Sequence, residues 1–165
     1  MGIVAKIFKE EPSKYTYYMS GAAFLRVVFM TVLAGAVTWL LAVAFDKWML
    51  TPIFCSGSTA NVSICADTTA LGAHISAILV GVMTVPLLTL AGVKRPLLVV
   101  IAAIASLWGV AGWTGGEWFL SLILTTLIFA LVYTALVWLN RIRGNVGAIV
   151  FMALFVILTR VVLSL

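Results

Sequence analysis

The stretch that decides the fold reads LGAHISAILVGVMTVPLLTLAGVKRPLLVVIAAIASLWGVAGW and covers residues 71–113. It holds two apolar runs, roughly Leu71 to Val93 and Pro96 to about Trp113. Only Lys94 and Arg95 separate these runs. A helix needs about 20 apolar residues to cross the hydrocarbon core of a membrane, and proline suits a helix's first turn. We therefore predict a hairpin of two transmembrane helices with a tight, positively charged turn.

Three further runs of the same character lie outside this hairpin, at roughly Gly21 to Phe45, Trp118 to Leu139 and about Gly147 to Leu165. Of the 165 residues, 64% are hydrophobic and 9% charged, against about 45–50% and about 25% in an average soluble chain. A soluble domain of this size has no interior large enough for so much apolar surface. We predict an all-α integral membrane protein with five transmembrane helices in residues 21–165, preceded by a juxtamembrane arm at 1–20.

The positive charges set the predicted orientation, because Lys and Arg concentrate in the cytoplasmic loops of membrane proteins. With a cytoplasmic N-terminus, only Lys47 lies in an outer loop and Arg160 lies within a span. The other eight of the ten cations are then cytoplasmic, namely Lys6, Lys9, Lys14, Arg26, Lys94, Arg95, Arg141 and Arg143. We therefore predict a multi-pass protein of the plasma membrane, with its N-terminus in the cytoplasm and its C-terminus outside.

The last four spans suggest a weak repeat. Spans two and three are joined by Lys94-Arg95, and spans four and five by Arg141-Ile142-Arg143 about 47 residues later. Two such hairpins would be parallel repeats related by an axis along the membrane normal. Side-chain identity between them is slight, so the pattern indicates only a four-helix bundle with span one packed outside it.

The outer loop at 46–70 contains both cysteines of the chain, Cys55 and Cys65. Cysteines that face an oxidising compartment across a short polar loop favour a disulfide. A structural crosslink of this size stabilises a fold by roughly 3 kcal/mol in the chain-entropy treatment. The alternative is a redox role. It lacks the Cys-X-X-Cys or second cysteine pair that membrane thiol oxidoreductases use.

Ionisable residues inside a span are candidates for function, because burying them in lipid is costly. Arg160 lies in the outer half of span five, and His74 lies about one turn below the outer surface in span two. Glu117 and Asp67 belong to the same side. We predict that these four residues could line one polar vestibule. In the alternative interpretation, each side chain simply reaches the interface, with Arg160 paired to a carboxylate.

Span two carries two further features. Ala73, Ala77 and Gly81 form a ridge of small residues suited to close helix packing. Pro86 removes a backbone hydrogen bond, so it predicts a kink near Val82. Hydroxyl residues also share helix faces in spans one and four, where they usually bond their own backbone or a neighbouring helix; these are Thr31, Thr38, Ser121, Thr125, Thr126 and Thr134.

Other function classes have little support in the sequence. It contains no phosphate-binding glycine loop and no His-rich or carboxylate-rich metal cluster, so we predict no metal and no cofactor. One histidine and five acids leave few groups for acid–base catalysis, which argues against an enzyme. The cations lie between apolar runs rather than along one face, so nucleic acid is not an expected partner.

Two hypotheses remain. The first is a small oligomeric transporter or channel with a polar site near the outer leaflet. It follows from the kinked second span and the polar residues on the outer side. The second is a non-transporting subunit or assembly factor of a larger membrane complex. In either case the expected partners are the lipid bilayer and a second copy of the chain or another membrane protein.

Overall fold

The computed structural model describes residues 17, 19–55, 65, 67–108, 110, 117–142 and 144–164, with side chains to residue 162. Most of the predicted arm at 1–20 and the centre of the predicted loop at 46–70 lie outside the described residues. The described chain forms five helices, which are α1 (Gly21–Ala44, extended to Phe54), α2 (Thr68–Leu90), α3 (Pro96–Leu107), α4 (Trp118–Leu139) and α5 (Asn145–Ser164).

Four of these helices are long and apolar enough to cross a membrane, as judged by length and composition. They are α1, α2, α4 and α5, and the fifth apolar helix, α3, has only 12 residues. This architecture is that of an all-α membrane protein, as the sequence predicts. Each helix lies within one of the predicted apolar runs, apart from the extended end of α1 and a few terminal residues.

Helix α1 extends further than the sequence predicts. Ser20 caps its start, since the Ser20 hydroxyl accepts a hydrogen bond from the Ala23 N–H at 3.2 Å. At its other end the helix does not stop at Phe45 but widens into a π-helical segment, Phe45–Leu50, and closes with one α-helical turn, Thr51–Phe54. Pro52 lies in that last turn and has no N–H to donate. The wider π-helical segment lies directly before the turn in which Pro52 lacks this N–H.

The turn between α2 and α3 is as tight as predicted. Gly92 has a φ of 82°, in the left-handed region that favours glycine after a helix. The N–H of Gly92 donates to Thr89 O, and the N–H of Val93 donates to Leu88 O, both at 3.0 Å. Pro96 then occupies the first turn of α3. These bonds close α2 and turn the chain directly into α3.

The packing order differs from the predicted bundle with span one outside it. Helix α1 packs most extensively, against α4 and α2, whereas α4 and α5 contact each other little. Gly35 explains the position of α1, because a Cβ there would lie 2.9 Å from the Thr126 Cα of α4. Only 11% of the α5 span is buried, against 28–33% for the other three long spans. The peripheral helix is therefore α5, and the two hairpins are not packed alike.

The described helices run alternately between two ends of the molecule. At one end, which we call the cationic end, the Tyr17 N–H donates to Arg141 O at 2.7 Å and Arg95 donates to Ile142 O at 3.3 Å. At the other, the disulfide end, Cys55 is bonded to Cys65. The two ends also differ in packing. The largest fully buried side chains near the cationic end are Val27, Leu88, Val99, Tyr133, Leu136 and Val137.

Candidate functional site

A cavity of 440 Å³ opens into the bundle from the disulfide end. Its walls come from α1, α2, α4 and the segment that follows α3. The lining residues are Thr38, Trp39, Ala42, Val43, Asp46, Lys47, Thr69, Ala73, His74, Ala77, Leu107, Val110, Trp118, Ser121, Thr125 and Phe129. Its volume is in the range of sites for small molecules, which is about 300–1,000 Å³.

The cavity changes character from its rim to its floor. At the rim, Lys47 and Thr69 are exposed and Trp118 is 69% exposed. At the floor, Thr125 and Phe129 are buried. Trp118 and Phe129 lie about 16 Å apart along α4 at a rise of 1.5 Å per residue. Below Phe129 the Tyr133 ring stacks on it at 6.2 Å, and the buried core continues to the cationic end.

The π-helical segment of α1 presents the charged side chains of the rim. Asp46 and Lys47 follow each other in this segment, and both line the cavity. The Asp46 carboxylate accepts hydrogen bonds from Thr69 at 3.1 Å and from Thr51 at 3.4 Å. Thr69 belongs to α2, so Asp46 also ties the two helices together. Segments of π-helix occur frequently at functional sites, where they redirect side chains.

His74 is the predicted site residue that lines the cavity. Its ring stacks on the Trp108 indole, with ring centroids 4.2 Å apart and an interplanar angle of 12°. The Nε2 atom is buried and has no hydrogen-bond partner among the described residues. A buried nitrogen without a partner is costly, so such an atom beside a cavity is a ready contact for a bound molecule.

Arg160 does not line the cavity. Its side chain is exposed and donates a hydrogen bond to the backbone carbonyl of Trp108. Trp108 thus contacts His74 through its ring and Arg160 through its backbone. Of the arrangements considered from the sequence, pairing with a carboxylate is not what the described residues show. Arg160 instead holds the residue against which His74 is stacked.

Glu117 and Asp67 lie outside the cavity lining. Glu117 immediately precedes α4 and Asp67 immediately precedes α2, and both side chains are exposed. Neither carboxylate caps its helix by a side-chain hydrogen bond. Of the four residues predicted to share a vestibule, the structure thus brings His74 to the cavity and connects Arg160 to it through Trp108.

The hydroxyl residues serve both of the roles considered from the sequence. Thr38 lines the cavity while its hydroxyl donates to Ala34 O of its own helix at 2.7 Å. Ser121 also lines the cavity and accepts a hydrogen bond from the Trp39 indole at 2.9 Å, which links α4 to α1. These residues add hydroxyl groups to largely apolar walls and place no formal charge at depth.

The small residues in the ridge on α2 have two different roles. Ala73 and Ala77 line the cavity, so their small size contributes to its volume. Gly81 packs against α3, where an added Cβ would lie 2.7 Å from Ile104 Cδ1. Helix α2 continues through Pro86 to Leu90. Two residues before this proline, the Thr84 hydroxyl bonds the carbonyls of Val80 and Gly81. The kink stays a prediction.

The predicted disulfide between Cys55 and Cys65 is present, with their Cα atoms 5.4 Å apart. Cys55 follows the last turn of α1, and Cys65 precedes α2. The crosslink therefore joins the two helices that supply Asp46 and His74.

Sequence reasoning missed Asp46, Lys47, Trp39 and Trp118 as site residues. Asp46 and Lys47 fell in the predicted loop, and neither tryptophan was assigned to a site. Within the described residues, no group of three or more His, Cys, Asp or Glu side chains is arranged to hold a metal. The chain matches no protein-family model, and comparisons with curated proteins and with solved structures give no match.

Proposed function

We propose that the cavity is the substrate site of a small membrane transporter and that its substrate is a small zwitterionic amphiphile. The observation that carries the proposal is the cavity itself, whose lining includes His74, a residue with a buried Nε2 atom that has no partner among the described residues. Pockets that bind small molecules combine apolar walls with a few convergent polar groups. This cavity has both features.

The charges of the rim suggest the substrate class. Asp46 and Lys47 carry opposite charges on one segment, so they complement a molecule that carries an ammonium and a carboxylate. Deeper in the cavity, Trp39 and Phe129 offer aromatic surface for an apolar tail. An ammonium group is attracted both to a carboxylate and to an aromatic face. A zwitterion with an aromatic or branched side chain fits a cavity that has charged residues at its rim and aromatic residues deeper inside.

The closed floor favours alternating access over an open pore. The Phe129 and Tyr133 rings stack beneath the cavity, and Leu136 and Leu88 are fully buried below them. A continuous channel would require polar residues along this core. A transporter needs only a second conformation that opens the site to the other side, as rocking of one helix pair against another provides.

The proposed topology has five spans with the cationic end in the cytoplasm. Helix α3 is short, but Arg95 before it and Trp108 after it contact the two ends of α5, through Asn145 and Arg160. These contacts support the proposal that α3 also crosses the membrane, which brings the number of spans to five. The positive-inside rule then assigns the cationic end to the cytoplasm and the disulfide end to the outside of the plasma membrane. Alkaline phosphatase fused after residue 165 should be active; an inactive fusion of normal abundance would contradict this topology, in either its orientation or its number of spans.

We include self-association in the proposal. Five helices enclose little space, and α5 leaves most of its apolar surface uncovered within the chain. A second copy packed on α5 would support the rocking motion. The mass of the protein in mild detergent tests this directly. If the measured mass were that of one chain at all concentrations, the protein would not self-associate, contrary to this part of the proposal.

The binding test uses three phenyl compounds that differ only in charge, namely phenylalanine, phenethylamine and phenylpropionate. We expect phenylalanine to bind the purified protein most tightly, because it alone complements both Asp46 and Lys47. Ala73→Phe fills the cavity and should abolish binding. Ala22→Phe is the matched control, because Ala22 is exposed at the start of α1 and does not line the cavity. Thermal stabilisation or calorimetry measures each affinity, and uptake into vesicles tests transport.

Two results would contradict the proposal. Equal, weak binding of all three compounds to the native protein and to Ala73→Phe would mean that the cavity is not a site. Binding without uptake, together with a membrane partner that copurifies in stoichiometric amount, would instead favour the non-transporting subunit of a larger complex.

A further inference from the structure

A second, smaller pocket of 90 Å³ lies at the cationic end, far from the substrate cavity. Its walls come from the segment before α1, the turn between α2 and α3, and the end of α4. The lining residues are Tyr17, Met19, Gly92, Val93, Lys94, Val137, Asn140 and Arg141. Nothing in the proposed transport function requires this pocket.

Asn140 points to a ligand in this pocket. Its side chain is only 4% exposed, and its Oδ1 atom has no hydrogen-bond partner among the described residues. Asn140 ends α4, and its backbone N–H is already bonded to Leu136 O. Buried polar atoms in folded proteins almost always have a partner. A ligand that donates a hydrogen bond from a hydroxyl or ammonium group would supply one.

The charges around the pocket point to an anion. Lys94 and Arg141 both line it, and the Lys94 ammonium lies 5.7 Å from the centre of the Tyr17 ring. Arg141 Nε donates to Tyr17 O at 3.0 Å, and this bond joins the segment before α1 to the end of α4 at the pocket. The carboxylates that the structure describes, Asp46, Asp67 and Glu117, belong to the disulfide end.

The size of the pocket restricts the ligand further. The pocket has about a fifth of the volume of the substrate cavity, 90 Å³ against 440 Å³, so it has room for a small polar group but not for a whole lipid. The rest of the ligand must lie outside. An apolar groove of 420 Å³ between α1, α4 and α5 extends to Leu139 at the end of α4, the helix whose end also lines the pocket. The groove residues are Phe24, Leu131, Thr134, Ala135, Trp138, Leu139 and Phe155.

We propose that this pocket and groove together bind one anionic phospholipid whose headgroup carries a hydrogen-bond donor, such as phosphatidylglycerol. The phosphate lies beside Lys94 and Arg141, a headgroup hydroxyl donates to Asn140 Oδ1, and an acyl chain lies in the groove. The lipid joins the N-terminal segment to the ends of α2 and α4. It therefore fastens the cationic end, at the level where headgroups meet the hydrocarbon.

The test measures lipid retention by native mass spectrometry of the full-length protein released from bilayers of phosphatidylglycerol and phosphatidylcholine. We expect one molecule of phosphatidylglycerol to be retained in preference to phosphatidylcholine, whose headgroup has no donor. Loss of one cation near a lipid surface lowers affinity by about fivefold, so Lys94→Gln should weaken retention to that extent. Lys47→Gln, at the disulfide end, is the matched control and should leave retention unchanged.

Two further arms separate the possible outcomes. Asn140→Leu keeps the size of the side chain but removes the acceptor. It should reduce the preference for phosphatidylglycerol over phosphatidic acid, and thermal unfolding reports whether the variant is folded. Glycerol phosphate at millimolar concentration should not displace the lipid, because it has no acyl chain for the groove. Displacement by glycerol phosphate, or equal retention of both phospholipids by native protein and Lys94→Gln, would overturn the proposal.

Discussion

The two halves of this bundle use similar apolar helices for different purposes. Near the cationic end, Leu88, Tyr133 and Leu136 are at most 1% exposed, and the helices meet through closely packed side chains. Near the disulfide end, the same helices stand apart around a 440 Å³ cavity. The comparison indicates that the stability of the fold comes mainly from the cationic half. The disulfide half is free to carry polar groups and a binding site.

The largest expected effect lies in the cationic half. Leu136→Ala leaves an unfilled space in the closed core and should lower the free energy of unfolding by about 2–4 kcal/mol. Leu127→Ala, on the exposed face of the same helix and 53% exposed, should change it by less than about 0.5 kcal/mol. Chemical unfolding in mild detergent measures both. Equal losses of stability for the two variants would contradict the claim that the closed core stabilises the fold more than the exposed surface does.

The next largest effect concerns the crossing of α1 and α4 between the two halves. Gly35→Ala places a methyl group 2.9 Å from Thr126 Cα and Phe129 Cβ. The helices must separate, and we expect a loss of about 1–3 kcal/mol. Gly147→Ala is the control, since its added methyl would approach only the Ile142 side chain at 3.5 Å. A Gly35→Ala protein as stable as Gly147→Ala would mean that α1 does not pack as described.

A smaller effect, on binding rather than stability, is expected from His74→Phe. The new ring keeps the stacking surface against Trp108 but removes Nε2, the unpartnered polar atom of a residue that lines the cavity. Loss of one hydrogen bond of about 1 kcal/mol corresponds to about fivefold weaker binding of the zwitterion. Calorimetry measures the affinity, and the unfolding midpoint should stay within a few degrees. Unchanged affinity would exclude His74 from the site.

The smallest effect is expected from Arg160→Ala. The Arg160 side chain is exposed and bonds only the Trp108 carbonyl among the contacts described above. We expect less than about 1 kcal/mol in stability and a weaker effect on zwitterion affinity than that of His74→Phe. If Arg160→Ala abolished binding while His74→Phe did not, Arg160 would be the direct ligand contact, and the relay through Trp108 would be wrong.

Much of the fold is predictable because helices that face lipid have strongly apolar sequences. The apolar runs, the Lys94-Arg95 turn and the disulfide follow from hydropathy, charge and cysteine spacing. The extension of α1 to Phe54 does not, because its polar residues and Pro52 are typical of a loop. The packing order is also hidden. It depends on where Gly35 meets α4, and a helix that faces lipid on one side and protein on the other is apolar throughout.

The site is less predictable than the fold. His74 was identifiable, because a lone ionisable residue in a span is conspicuous. Asp46 and Lys47 were not, since only the π-helical segment turns them toward the cavity. Arg160 and Glu117 show that a residue can belong to the same end of the molecule and still lie outside the lining of the cavity. The cavity combines parts of several helices, and no single stretch of sequence encodes it.

The most direct test of the central claim, that the cavity is an accessible binding site on the disulfide side, is thiol labelling of Thr125→Cys. The two natural cysteines are bonded to each other, so the introduced thiol is the only free one. We expect a charged, membrane-impermeant methanethiosulfonate reagent to modify it from the disulfide side, with phenylalanine slowing the reaction. Leu136→Cys should stay unmodified. A Thr125→Cys protein as unreactive as Leu136→Cys would contradict the account.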